Sequence, residues 1–243
     1  MVLTVARRPR LLISAVAAGV LALACTGGYV GYKAHKNAQF KVAACDVIEQ
    51  QTTDRGAVIN LPGAGTRVAI VGDSYSSGDT LEDYQDAWPF VFARETGDSV
   101  ALSGVGWTGY VNGGVCDDDQ FGTRTSVTDG VDIVIIQGGQ NDVKTPDQVR
   151  AAALALIKSV DAPRVIIVGP TDAPAVEGED VVDRELSAAA NEAGAEYVSA
   201  LDWQLAFGPD HGHPSPEGHR QFASHVEDAV SGQARTASTS NNP

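Results

Sequence analysis

The stretch Val131–Asp142, VDIVIIQGGQND, decides the fold. Five of its first six residues are β-branched apolar side chains, the composition of a strand buried on both faces. Directly after it comes a glycine-rich loop carrying Gln140, Asn141 and Asp142. The same layout recurs on both sides. Upstream, Arg67–Val71 (RVAIV) is followed by Gly72-Asp73-Ser74-Tyr75, and the weaker Ser99–Leu102 by Ser103-Gly104-Val105-Gly106. Downstream, Arg164–Val168 (RVIIV) and Glu196–Ser199 complete five strands. Helical patterns lie between them near Ala87–Glu95, Pro146–Val160 and Asp180–Ala193, and Pro216–Val230 closes the series. Short apolar strands alternating with helices predict a three-layer α/β/α sandwich around a mostly parallel, about five-stranded sheet. In such sheets ligands sit outside the carboxyl ends of the strands, so the informative residues should follow strands. Here they do.

Four strand-following segments carry the chemistry: Gly72-Asp73-Ser74, the loop ending in Gly106, Gly139-Gln140-Asn141-Asp142, and Asp210-His211-Gly212-His213 after the fifth strand. Acyl transfer needs a nucleophile, a base to take its proton, a group that orients the base, and donors for the oxyanion. In order and spacing these segments resemble the four blocks of the SGNH hydrolases, the GDSL-type esterase and lipase superfamily, over residues 66–230. The resemblance implies the flavodoxin-like SGNH fold, with Ser74 as nucleophile and one oxyanion donor. It makes the Gly106 N–H and the Asn141 side-chain amide the second and third donors, His213 the base and Asp210 its orienter. It implies no cofactor and no metal.

Several rivals stand beside these assignments. Gly104 competes with Gly106, and His211 with His213, although only His213 has the i+3 spacing from Asp210. Tyr75 stands where the family usually has leucine, at a position that reads as tolerant. Asp73 reads as structural, bonding loop amides, and His219 as a surface or packing residue. Asp117-Asp118-Asp119 lacks the alternating spacing of a calcium loop and reads as a solvated acidic loop. Trp107, Tyr110 and Trp203 lie in strand-end loops, where they either pack or line a pocket.

The chain's 243 residues and 43% apolar content suit one domain with extensions. All 31 acidic residues lie after residue 41, against 11 basic ones there, a surface that repels a polyanion and argues against nucleic-acid binding. The N-terminus is different. Arg7, Arg8 and Arg10 precede an uncharged apolar run, Leu11–Tyr32, which as a helix would span roughly 33 Å, about a bilayer core. Residues 1–32 are therefore expected to be a signal peptide or a membrane anchor. Cleavage after Ala22-Leu23-Ala24, lipidation of Cys25 and an uncleaved anchor remain open, and each places the domain outside the membrane. Residues 33–65 lack sustained periodicity and read as a stalk or lead-in. The polar tail 231–243 reads as disordered. In an oxidising exterior Cys45 and Cys116, the pair remaining after the apolar run, are expected to form a disulfide.

The function expected is hydrolysis of a carboxylic ester, of a lipid or an O-acyl sugar, by an exported serine esterase. Acyl transfer to an alcohol would use the same acyl-enzyme. A silent envelope-binding module would have no use for a nucleophile and base. A metal hydrolase built on Asp210, His211 and His213 would rest on a weak ligand pattern.

Overall fold

In a computed structural model, residues 10–116 and 118–232 are described, those up to residue 32 by backbone alone. The chain divides into two compact units, Met1–Asp46 and Val47–Pro243. The second holds a six-stranded sheet in the order β1-β3-β2-β4-β5-β6. Its strands are β1 (Ile59–Leu61), β2 (Arg67–Gly72), β3 (Ser99–Gly104), β4 (Ile133–Gln137), β5 (Arg164–Thr171) and β6 (Glu196–Ala200). All pairings are parallel except that of β1, which lies antiparallel on the outer edge of β3. The five parallel strands are those read from the sequence. β1 is an addition inside the expected stalk. With three residues, INL, it is too short to show periodicity, and only its pairing to β3 makes it a strand.

Alternation along the buried strands divides the core into two layers. Val68, Ile70, Val100, Leu102, Ile135, Ile166 and Val168 face one side, packed with Trp88 and Phe92 of α3 (Trp88–Thr96) and Phe222 and Val226 of α6 (Pro216–Ser231). Ala69, Val71, Val134, Ile136 and Ile167 face the other, against α4 (Pro146–Ser159) and α5 (Glu179–Ala193). His219 is fully buried in the first layer. Its Nδ1 accepts the Trp88 backbone N–H at 3.2 Å, capping α3 where Ala87 supplies no side-chain cap. Burial pushes the pKa of His219 down to about 3, with the charge of His213 adding to the effect, so the ring stays neutral. It is a packing residue.

Within the expected stalk or lead-in, residues 33–55 continue the first helix, α1 (Arg10–Arg55), although no periodicity marks them. No Gly or Pro occurs between Lys33 and Arg55, and Ala, Lys, Gln and Glu favour a helix even without an apolar stripe. The helix ends at Gly56, which takes a left-handed φ of 89°. Cys45 and Cys116 are both disulfide-bonded. Among the described residues no helix is long and apolar enough to cross a membrane. The side chains of Leu11–Tyr32, on which the export reading rests, lie outside those described, as do Asp117 and most of the C-terminal tail.

Register positions the site. In the parallel ladder Gly72 pairs with Gly104 on one side and Gln137 on the other, so β2, β3 and β4 end flush. The residues that follow them, Ser74, Gly106 and Asn141, are delivered to one rim. The strand order places that rim where the chain reverses its direction of winding, the usual crevice for ligands in open α/β sheets.

Candidate active site

β2 runs into a short helix, α2 (Ser74–Ser77), through a turn that Asp73 holds. Asp73 Oδ1 accepts the Tyr75 N–H at 3.0 Å and the Gln137 side-chain amide at 3.1 Å. Its other oxygen is buried without a partner. Burial raises the pKa of Asp73 to about 6, against the pull of these two hydrogen bonds and the His213 charge. Asp73 thus shapes the turn.

At the start of α2, Ser74 Oγ lies 3.0 Å from His213 Nε2. His213 Nδ1 lies 2.6 Å from Asp210 Oδ2. The three side chains form one continuous hydrogen-bonded line. Asp210 holds the loop as well as the ring, its Oδ1 accepting the backbone N–H groups of Gly212 at 3.1 Å and His213 at 3.0 Å. Partial burial pushes the Asp210 carboxyl up, but the His213 ring and these two amides outweigh it and hold the pKa below the ordinary carboxylate value. An ionised Asp210 requires a hydrogen on Nδ1, which leaves Nε2 free to accept from the serine. His211, the rival, is exposed and engages through its backbone, accepting the Ala175 N–H at 3.0 Å.

Three donors stand on the same rim. Among the described residues no bond within the protein takes up the backbone N–H of Ser74 or of Gly106. The Asn141 amide gives one hydrogen to the Thr108 carbonyl at 2.9 Å, which fixes its orientation and leaves the second hydrogen available. The rival Gly104 is the last residue of β3, packed so tightly on α2 that a Cβ would lie 2.7 Å from the Ser77 nitrogen. At Gly106 a Cβ would lie 2.0 Å from Asp79 Oδ2, so any side chain there would displace that carboxylate. Ser74, Asn141 and His213 share one cavity of about 310 Å³ with Asp79, Thr80, Trp107, Val47 and Gln51. Gly106 does not line it; its next neighbour Trp107 does.

Supporting residues escape a reading of motifs. Asp142 is fully buried and accepts the N–H groups of Tyr110, Val111 and Asn112 at 2.8, 3.1 and 2.8 Å, pinning the loop after Gly106. The Arg124 guanidinium donates to the carbonyls of Gly72 and Ser103 and to the Thr108 hydroxyl, tying the ends of β2 and β3 to that loop. Burial lowers its pKa to about 10, against the pull of Asp119 and Asp73, and the guanidinium keeps its charge at neutral pH. Of the three loop aromatics only Trp107 lines the cavity. Tyr110 packs edge-on to Phe121, and Trp203 lies against Phe222 and stacks on His225.

Tyr75 is the clearest correction. The position that reads as tolerant is fully buried. Its hydroxyl donates to the Gly212 carbonyl at 2.8 Å, accepts from the Gln140 amide at 2.9 Å and meets the Thr171 hydroxyl at 3.1 Å. Its ring centroid lies 5.9 Å from that of His213. Tyr75 therefore ties the turn that carries Ser74 to the loop that carries His213, a role leucine could not fill. Removing the hydroxyl takes the donor from the Gly212 carbonyl and leaves the Gln140 amide only the Thr171 hydroxyl, at a cost of about 1–3 kcal/mol. Tyr75→Phe should lower the unfolding free energy by that amount and kcat by about tenfold through a looser His213, with KM nearly unchanged. Denaturant melts combined with steady-state kinetics check both, and a variant matching the wild type in each would remove Tyr75 from the positioning role.

Among the described residues no three His, Cys, Asp or Glu side chains gather as a metal-binding set. The profile of the GDSL-like lipase/acylhydrolase family matches residues 70–221. No curated protein sequence matches the chain. Among solved structures, Est24, a carbohydrate acetylesterase from Sinorhizobium meliloti, is similar with a TM-score of 0.61 at 20% identity, over 70% of this chain and 100% of its own. An aryl esterase from M. smegmatis aligns with a TM-score of 0.59 at 20% identity, over 69% of this chain and 99% of its own. A family two carbohydrate esterase from Clostridium thermocellum aligns with a TM-score of 0.57 at 19% identity, over 72% of this chain and 66% of its own. At these identities the likeness is one of fold.

Proposed function

Because the chain belongs to the GDSL-like lipase/acylhydrolase family, we propose that it hydrolyses a carboxylic ester through an acyl-enzyme on Ser74, as an exported enzyme. The observation that carries the reading is the hydrogen-bonded line Ser74–His213–Asp210, with contacts of 3.0 and 2.6 Å, opening into the same cavity as Asn141. His213 Nε2 takes the Ser74 proton as Oγ attacks the ester carbonyl. The carbonyl oxygen gains negative charge, which the N–H groups of Ser74 and Gly106 and the free hydrogen of Asn141 stabilise. The imidazolium then protonates the departing alcohol, leaving the acyl group on Ser74. Water, activated by the same histidine, attacks that acyl group, and the acid leaves with Ser74 restored. Asp210 supports the positive charge on His213 in both halves. The titrating groups divide the work through their environments. Asp210 stays ionised, while Asp73, kept from solvent by the turn it builds, takes no part.

Export is supported by the three arginines before the uncharged apolar run Leu11–Tyr32 and by the paired state of Cys45 and Cys116. An ester substrate is also favoured by the structural neighbours, which are named as carbohydrate and aryl esterases. The test is hydrolysis of p-nitrophenyl esters of graded acyl length by the full chain and by Ser74→Ala. Turnover should appear with the wild type and fall to the uncatalysed level in the variant. Equal rates in the two would reject the reading.

A further inference from the structure

The cavity beside Ser74 contains one strong acceptor that the hydrolytic steps leave unused, the Asp79 carboxylate. It belongs to the segment just after α2, where its backbone N–H donates to the Ser74 carbonyl at 3.1 Å. Oδ1 accepts the Ser77 hydroxyl at 2.7 Å, which fixes the carboxylate plane. Oδ2 takes no hydrogen bond within the protein among the described residues, and lies where a Cβ on Gly106 would stand. Asp79 is half-buried, and a carboxylate oxygen with spare lone pairs, beside an oxyanion donor and the nucleophile, is placed to accept a hydrogen bond from a ligand in the cavity.

The remaining walls are of two kinds. Gln51 and Thr80 add polar groups to the lining, whereas Val47 and the indole of Trp107 add apolar ones. Trp107 is 47% exposed and takes a left-handed φ of 68°, unusual for a bulky residue, so the surrounding loop holds it in place against local preference. The loop is the one that Asp142 and Arg124 pin. A long alkyl chain entering here would have to cover the Asp79 carboxylate and the Gln51 amide with methylenes, leaving both unpaired. A ring with an apolar face and hydroxyls on its edge satisfies both walls at once. A second anionic group near the ester would meet Asp79 and the acidic surface.

We propose that Asp79 is a specificity-determining residue which accepts a hydrogen bond from a hydroxyl beside the scissile ester, and that the substrate is an uncharged O-acyl sugar whose ring lies against Trp107. The inference rests on the esterase reading and narrows it to polyol esters with a small acyl group. It also explains why a carboxylate stands so close to an oxyanion site. The donated hydroxyl neutralises part of its field when substrate is bound and none of it when the site is empty, which favours the hydroxylated ester over a plain one.

The experiment compares two substrates on the full chain. One is a mono-O-acetyl methyl glycoside with free hydroxyls beside the ester, and the other is its counterpart deoxygenated at those neighbours. Wild type should favour the first in kcat/KM by about 10–100-fold, the range expected for a hydrogen bond to a charged group. In Asp79→Ala the ratio should fall to near one, and in Asp79→Asn to an intermediate value, because the amide oxygen still accepts without the charge. Trp107→Ala should raise KM for both glycosides and leave the ratio in place. A wild-type ratio near one, a ratio that survives in Asp79→Ala, or a preference for long-chain esters overturns the inference. The wild-type ratio decides on its own if an Asp79 variant does not fold. p-Nitrophenyl acetate separates the two levels. If it is hydrolysed through Ser74 while neither glycoside is, the sugar inference fails and the esterase stands. If p-nitrophenyl acetate is not hydrolysed either, the esterase reading falls with it.

Discussion

Replacing His213 by alanine should lower kcat by about 10⁴–10⁶-fold, because the serine then has no group to take its proton and the leaving alcohol no acid. The residual rate comes from the oxyanion donors and from binding, which the substitution leaves in place. The pH profile makes the test specific. His213 acts as a base only when Nε2 carries no proton, so wild-type kcat/KM should fall on the acid side of its pH profile. Asp210 adds no second limb there, because its carboxyl is held below the ordinary range and is already ionised. The acid-side loss of activity therefore reports His213, and it should vanish in His213→Ala. His211→Ala should keep both the rate and the limb, its ring being exposed and apart from the hydrogen-bonded line. If His211→Ala removed the limb and His213→Ala kept it, the base would be the other histidine.

Asn141→Ala should lower kcat by about 10²–10³-fold with KM nearly unchanged, the signature of an interaction made with the developing oxyanion rather than with the ground state. The amide is anchored through its other hydrogen to the Thr108 carbonyl, so it needs no reorganisation when charge appears. An amide does not titrate, and the loss should be the same at every pH on the profile. Asn141→Asp is the sharper variant. Its acceptor-only carboxylate would repel both the oxyanion and the Thr108 carbonyl, and should fall below alanine. A drop confined to KM, or one that varied with pH, would move Asn141 from the oxyanion site to substrate binding or loop support.

Much of the fold was legible because it rests on short-range signals. Three of the five parallel strands, β2, β4 and β5, are rich in Val and Ile, and the loops that follow the parallel strands carry all of Ser74, Gly106, Asn141, Asp210 and His213. Register then does what spacing alone cannot: Gly72, Gly104 and Gln137 end level with one another, and so the loops meet. The helical continuation through residues 33–55 was hidden because it has no amphipathic stripe, only residues that do not resist a helix. β1 was hidden because three residues have no period.

The supporting layer of the site was hidden for a different reason. Tyr75, Arg124 and Asp142 act through partners 137, 52 and 32 residues away in sequence, and although Asp142 stands in the Gly139–Asp142 segment, no local pattern marks these contacts. Tyr75 did leave one trace, its departure from the family's leucine at a position beside the nucleophile. A polar aromatic there needs a partner once buried, and the histidine loop provides it. Arg124 left another, as one of few basic residues in an acidic chain, set in the loop between β3 and β4.

The central claim is that Ser74 is the nucleophile, and covalent trapping tests it most directly. A fluorophosphonate probe should react with the folded protein, and peptide mass spectrometry should place the adduct on Ser74, with no labelling of Ser74→Ala and greatly slowed labelling of His213→Ala. Labelling of equal extent in Ser74→Ala, or an adduct on another residue of the wild type, would contradict the account.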